Sequence, residues 1–85
     1  MSEAEAAARI EAFVREAFSV KDDDPRFGRD RDLFEGGYVD SVGLIELLGF
    51  IEDEFGVEVP DEELASDEFM TIDGMARVLD RLANA

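Results

Sequence analysis

A chain of 85 residues with 23 acidic and 8 basic side chains has a formal charge of −15. This excludes a nucleic-acid binder or a binder of anionic membrane surfaces, since both need the opposite sign. There is no cysteine and no histidine, which removes disulfides, thiol chemistry, Ser-His and Cys-His nucleophile pairs, and zinc held by those side chains. Hydrophobic residues make up 46% of the chain, too many for a disordered acidic tail, and the length predicts one domain over 1–85 with a core from about 3 to 83.

The first predicted element is a helix from Glu3 to Phe18. Ile10, Phe13, Val14, Ala17 and Phe18 fall on one apolar stripe. Ser2 is its N-cap, with Glu5 three residues later as in a capping box. The segment before Ile10 is rich in Ala and Glu. It has no basic stretch followed by an apolar one, so a cytoplasmic protein without a membrane span is expected. A long connection, Ser19 to Asp40, comes next. Asp22-Asp23-Asp24-Pro25, Gly28 and Gly36-Gly37 interrupt helical runs there, and Leu33, Phe34 and Tyr38 are expected to pin it to the core.

A second helix is predicted over Ser41–Phe55, headed by Asp40 and stopped by Gly56. Val57-Glu58-Val59-Pro60 reads as extended, because the residue before proline avoids helix. A short helix follows near Glu62–Phe69, with Ser66 as candidate cap. The last helix begins after Thr71 and ends near Ala83, with Ile72, Met75, Ala76, Leu79 and Leu82 facing inward. The pattern predicts an all-α bundle of four helices, the third short, with one long loop between the first and second.

The second helix carries two apolar stripes. Leu44, Leu47, Leu48, Ile51 and Phe55 form the one expected to face the core. Val42, Ile45 and Gly49 lie on another side with Glu46, Glu52 and Asp53. Apolar residues rimmed by acids describe a docking surface. The bland alternative is that the long connection covers them. Charge alone favours a solvated face that keeps a small protein soluble, with attraction of a basic partner as the other reading: Asp32 to Ala76 contains fourteen acids and no base, while six of the eight bases lie between Arg9 and Arg31. As a set of calcium ligands the acids fail. Counted from Asp30 or from Asp22, the fifth and sixth positions of an EF-hand loop fall on Phe34 and Glu35 or on Arg26 and Phe27.

Asp40-Ser41 stands where a glycine-containing loop becomes that helix. As an isolated pair it is an ordinary N-cap. The surrounding sequence adds to this. Leu33-Phe34-Glu35-Gly36-Gly37-Tyr38-Val39-Asp40-Ser41-Val42 leads into Leu44-Ile45-Glu46-Leu47-Leu48. Glu52-Asp53-Glu54-Phe55-Gly56-Val57-Glu58-Val59-Pro60-Asp61-Glu62-Glu63 and Phe69-x-Thr71-Ile72 follow. Together these segments resemble the acyl carrier and peptidyl carrier protein family from about Phe34 to Leu82.

The resemblance implies a four-helix bundle and covalent 4′-phosphopantetheine, derived from coenzyme A, on the serine matching Ser41. It implies a role for Asp40 in recognition by the phosphopantetheinyl transferase, and no catalysis by the chain itself. Further partners would be an acyl- or aminoacyl-activating ligase and downstream acyl-processing enzymes, meeting the Val42, Ile45, Glu46, Gly49, Glu52 and Asp53 face of a monomeric carrier. Family members usually have leucine where Val42 stands, and often a larger apolar residue at Gly49. The Leu-Phe-Glu-Gly lead-in is similar to that of stand-alone carriers of the D-alanyl type, and fatty acyl, polyketide, amino acid and peptidyl cargoes all stay open. The residue inventory agrees with such a role. No histidine can activate Ser41, which suits a modification acceptor better than a nucleophile, and a chain without cysteine must borrow its thiol. A helical module of the same shape that binds partners and is never modified is the alternative.

Overall fold

The computed structural model describes residues 2–84. Four α-helices, α1 (Glu3–Ala17), α2 (Ser41–Phe55), α3 (Asp61–Leu64) and α4 (Ile72–Ala83), account for the fold, with a 3-10 turn over Asp67–Met70. The bundle is all-α, as expected, with a short third helix and a long first connection.

Local chemistry sets the helix ends. Ser2 Oγ accepts the Glu5 N–H at 3.1 Å and Thr71 Oγ1 accepts the Gly74 N–H at 2.9 Å, each satisfying an amide that has no acceptor within its helix. At the end of α1, Val20 N–H reaches back to the Arg15 carbonyl at 3.0 Å, and Ser19 turns the chain at φ 53°. This is a Schellman-type end with serine where glycine is usual. Gly56 ends α2 in the same left-handed region, at φ 64°.

The interior is wholly apolar: among the described residues no polar or charged residue is buried. Ile10 and Val14 of α1, Leu47 and Ile51 of α2, and Ile72, Met75, Val78 and Leu79 of α4 meet there with Phe69 of the 3-10 turn. Helix α1 packs chiefly on α4. On the outer side of the α1–α2 pair, Phe13 stacks on Phe50 with ring centroids 4.2 Å apart.

Several expectations need correction. Ala17 is exposed, so α1 turns its apolar stripe inward only as far as Val14, with Phe13 and Phe18 half-buried beside it. The predicted 62–69 helix is two pieces. Ser66 stands before the 3-10 turn, but its hydroxyl donates to the Glu63 carbonyl at 2.8 Å and caps nothing. The split has a packing cause: the turn runs so close to α4 that a Cβ at Gly74 would lie 1.6 Å from the Glu68 carbonyl oxygen. Val78, outside the expected stripe of α4, is fully buried.

The second half of the long connection is tied down. Leu33 is buried, as is Val39, and Phe34 and Tyr38 are half-buried against the core. Backbone bonds from Leu33 N–H to the Met70 carbonyl (3.0 Å) and from Asp73 N–H to the Arg29 carbonyl (2.9 Å) fasten it to the start of α4. Inside the loop, Tyr38 Oη donates to Asp24 Oδ2 at 2.7 Å, the main cause of a lowered Asp24 pKa and a raised Tyr38 pKa. Among the described residues no helix is long and apolar enough to cross a membrane, and no group of three or more acids is arranged to hold a metal ion.

Candidate functional site

Asp40 is in extended conformation and turns its carboxylate back into the first turn of α2. Its Oδ1 accepts the Gly43 N–H at 2.7 Å and its carbonyl accepts the Leu44 N–H at 2.8 Å. The cap places Ser41 as the first helical residue, exposed, with its hydroxyl free of hydrogen bonds to the described residues. The Ser41 and Val42 amides precede the first intrahelical bond and are open to a ligand. They lie at the positive end of the helix dipole, where phosphate oxygens are favoured, while the Asp40 charge opposes that preference.

Beneath this turn lies a contact that sequence reasoning missed. Gly43 is buried under the Phe18 ring, and a Cβ there would come within 2.8 Å of Phe18 Cε1. The signal for it was a glycine inside a helix. The end of α1 thus supports the head of α2 from below.

The outer stripe is as uncovered as a docking surface requires. Val42 is 66% exposed and Ile45 72%, the two exposed large hydrophobics of the described chain. The long connection therefore does not roof them. Glu46, Gly49 and Asp53 are exposed along the same side, and a Cβ added at Gly49 would meet nothing within 4 Å. Position 49 is a shallow gap in the apolar stripe, open to a partner side chain.

Glu52 departs from the expected arrangement. It is half-buried, and its Oε2 accepts the Val59 N–H at 3.1 Å, holding the extended 57–60 segment against the end of α2. Helical spacing assigned it to the rim, but an unsatisfied amide after the helix draws it away. The free acids of the face are Glu46 and Asp53, whereas Glu54 pairs with Arg9 at 3.4 Å.

Three surface recesses are lined by other residues than Ser41.

Residues 8–79 match the family described as phosphopantetheine attachment site, and the chain belongs to that family. Its members are carriers that hold 4′-phosphopantetheine covalently and do not themselves catalyse reactions. The exposed serine, the open first-turn amides and the absence of a thiol from the chain all fit that group, which supplies a thiol for a thioester. The family is served by phosphopantetheinyl transferases and ligases. The chain is similar to D-alanyl carrier proteins of Streptococcus pyogenes serotype M5 (strain Manfredo), serotype M49 (strain NZ131) and serotype M1. Each is 34% identical over 56 residues, covering 66% of this chain and 71% of the relative.

Proposed function

We propose that the chain is a stand-alone, cytoplasmic, monomeric carrier whose arm is attached at Ser41 and whose cargo is an activated acyl group, in first place an aminoacyl group. The observation that carries the assignment of Ser41 is its place at the head of α2. It is exposed and unbonded, and it stands beside Val42 and Ile45, the two exposed large hydrophobics among the described residues. Modification joins Ser41 Oγ to the phosphorus of coenzyme A. The bond to the nucleotide half breaks, adenosine 3′,5′-bisphosphate leaves, and the serine proton passes to the transferase. Asp40 holds the first turn in shape and offers its remaining carboxylate oxygen to the transferase. Val42, Ile45, Glu46, Gly49 and Asp53 form the surface on which the transferase, the activating ligase and later acyl-processing enzymes rest. Glu52 acts in that surface only through the backbone it fastens. The aminoacyl choice is supported by the D-alanyl carriers among the relatives and by the Leu33-Phe34-Glu35-Gly36 lead-in.

Intact-mass analysis after incubation with coenzyme A and a broad-specificity transferase tests the attachment residue. One phosphopantetheine should be added to the wild-type chain and none to Ser41→Ala. Equal modification of Ser41→Ala overturns the assignment, and an unmodified wild type favours the pure interaction module. Loading of the modified chain by ligases with D-alanine, other amino acids and fatty acids then ranks the cargo.

A further inference from the structure

Three side-chain contacts run along the α1–α2 pair in antiparallel order. Glu54, near the end of α2, pairs with Arg9 at 3.4 Å, Phe50 stacks on Phe13 with ring centroids 4.2 Å apart, and Gly43 in the first turn meets Phe18. Helical spacing puts 43, 50 and 54 on one face of α2. The ion pair is exposed and holds little. That leaves the aromatic contacts as the firmer two, one toward the end of α2 and one at its head.

Phe18 is itself fixed. It follows the last residue of α1, and its N–H donates to the Val14 carbonyl at 3.0 Å. Directly after it Ser19 turns the chain at φ 53°. Phe13 meets the Phe18 ring edge-on, with centroids 6.2 Å apart. Gly43 is held from another side, because Asp40 Oδ1 accepts its N–H at 2.7 Å. A Cβ at position 43 would lie 2.8 Å from Phe18 Cε1 and 3.3 Å from Asp40 Oδ1. The backbone of the first turn is thus clamped between the cap carboxylate and the ring, with no room for a methyl group. Glycine is a weak helix former, and this close approach accounts for its presence.

Ser41 belongs to the same turn. It is exposed, and its hydroxyl makes no hydrogen bond to a described residue, so the backbone beneath it sets where Oγ lies. We infer that Phe18 is a positioning residue for the acceptor: through Gly43 it holds the first turn of α2, and with it Ser41 Oγ, in place for phosphopantetheine transfer. The inference rests on Ser41 as the attachment residue. In that transfer Oγ must approach the phosphorus opposite the oxygen that leaves with adenosine 3′,5′-bisphosphate, while its proton passes to the transferase. Misplacement by about an ångström at such a centre lowers the rate of the chemical step up to about a hundredfold.

Transfer rates at saturating coenzyme A test this, with a transferase that modifies the wild-type chain and with the folding of each variant checked by circular dichroism. Gly43→Ala pushes the ring aside, and kcat should fall about tenfold. KM for the carrier should change by less than about twofold, because Ile45, Glu46 and Asp53 are untouched. Phe18→Leu removes the ring atoms that the new methyl group would strike. Alone it should lower kcat about threefold, and Gly43→Ala/Phe18→Leu should regain that level instead of losing both factors. Val78→Ala, which opens a cavity at a buried position of α4, should lower the melting temperature and leave kcat unchanged. A folded Gly43→Ala chain modified at the wild-type kcat overturns the inference and leaves the Ser41 assignment intact. So does a loss that falls wholly in KM, or a double variant no better than Gly43→Ala. Should Gly43→Ala not fold, an unchanged kcat in Phe18→Leu overturns the inference by itself. A wild type modified at a residue other than Ser41 overturns the attachment assignment, and this inference with it, before any variant is compared.

Discussion

Helices α2 and α4 treat their apolar residues differently. Helix α4 has five large apolar side chains, Ile72, Met75, Val78, Leu79 and Leu82, and all but Leu82 are buried. Helix α2 has eight and fully buries only Leu47 and Ile51. Four more, Leu44, Leu48, Phe50 and Phe55, are packed in part against the core, and Val42 and Ile45 face solvent. Burial of a Leu or Ile side chain is worth about 1.5–3 kcal/mol. A helix that leaves two such residues in water forgoes stability that α4 gains at four of its five. Helix α4 spends its apolar residues on the interior, and α2 leaves two of them uncovered.

Two truncations on α2, two positions apart, separate those roles most sharply. Leu47→Ala opens a cavity in the interior and should lower stability by about 3–4 kcal/mol, read from the urea midpoint. Ile45→Ala should change stability by less than about 0.5 kcal/mol. It should weaken the complex with the transferase by about 1 kcal/mol, with little dependence on salt. Equal destabilisation by the two would mean that Ile45 is covered in solution, and the contrast between the helices would collapse.

Gly74→Ala probes α4 from its other side. The new methyl group would overlap the Glu68 carbonyl, and overpacking of this kind costs about 3 kcal/mol. Alanine recovers about 1 kcal/mol of helix propensity, leaving a net loss of about 2 kcal/mol. Gly49→Ala on α2 meets nothing and should gain stability by up to about 1 kcal/mol. Thermal melts of the two variants should move in opposite directions. A stabilised Gly74→Ala would show that the 3-10 turn does not press on α4.

The smallest effect concerns the charged outer edge of α4. Arg81 and Arg77 both bond the Glu68 carboxylate and lower its pKa from the ordinary 4.5 to about 2. A carboxylate with a depressed folded-state pKa stabilises the fold above about pH 4.5, and this contribution is lost as the pH falls through about 2. The melting temperature of Glu68→Gln should therefore lie slightly below that of the wild type at neutral pH, with the gap closing toward pH 2. The side chains are exposed, so the gap is expected to be a few degrees at most. A gap that does not vary with pH would assign the effect to packing instead of charge.

The ends of α1, α2 and α4 were legible because each is written in adjacent residues: Ser2 with Glu5, Asp40 before Ser41, Gly56, and Thr71. The exposure of Val42 and Ile45 was legible for a related reason. A helix with two apolar stripes has one more than a small bundle can cover. What stayed hidden depends on residues distant in sequence. The break between α3 and the 3-10 turn follows from the approach of Glu68 to Gly74, and the withdrawal of Glu52 from the rim follows from the amide of Val59. Ala17 obeys the helical period and is still exposed, because no element packs over the last turn of α1 on that side. Phe50 belonged to neither stripe in sequence and found its partner in Phe13, a stacking that periodicity within one helix does not register.

The contact of Phe18 with Gly43 bears on how far a tethered cargo wanders. Ser41 is in the same turn as Gly43, so a side chain that pushed Phe18 away would tilt the root of a group attached at Ser41. A long flexible tether magnifies a small angular error at its base into a large displacement at its tip. The chance that the tip meets a partner's reaction centre is an effective concentration, set by the volume it searches and the geometry of its anchor. With the arm attached at Ser41, as proposed above, an aromatic ring wedged under a glycine would steady the pivot of that search and leave the searching to the arm.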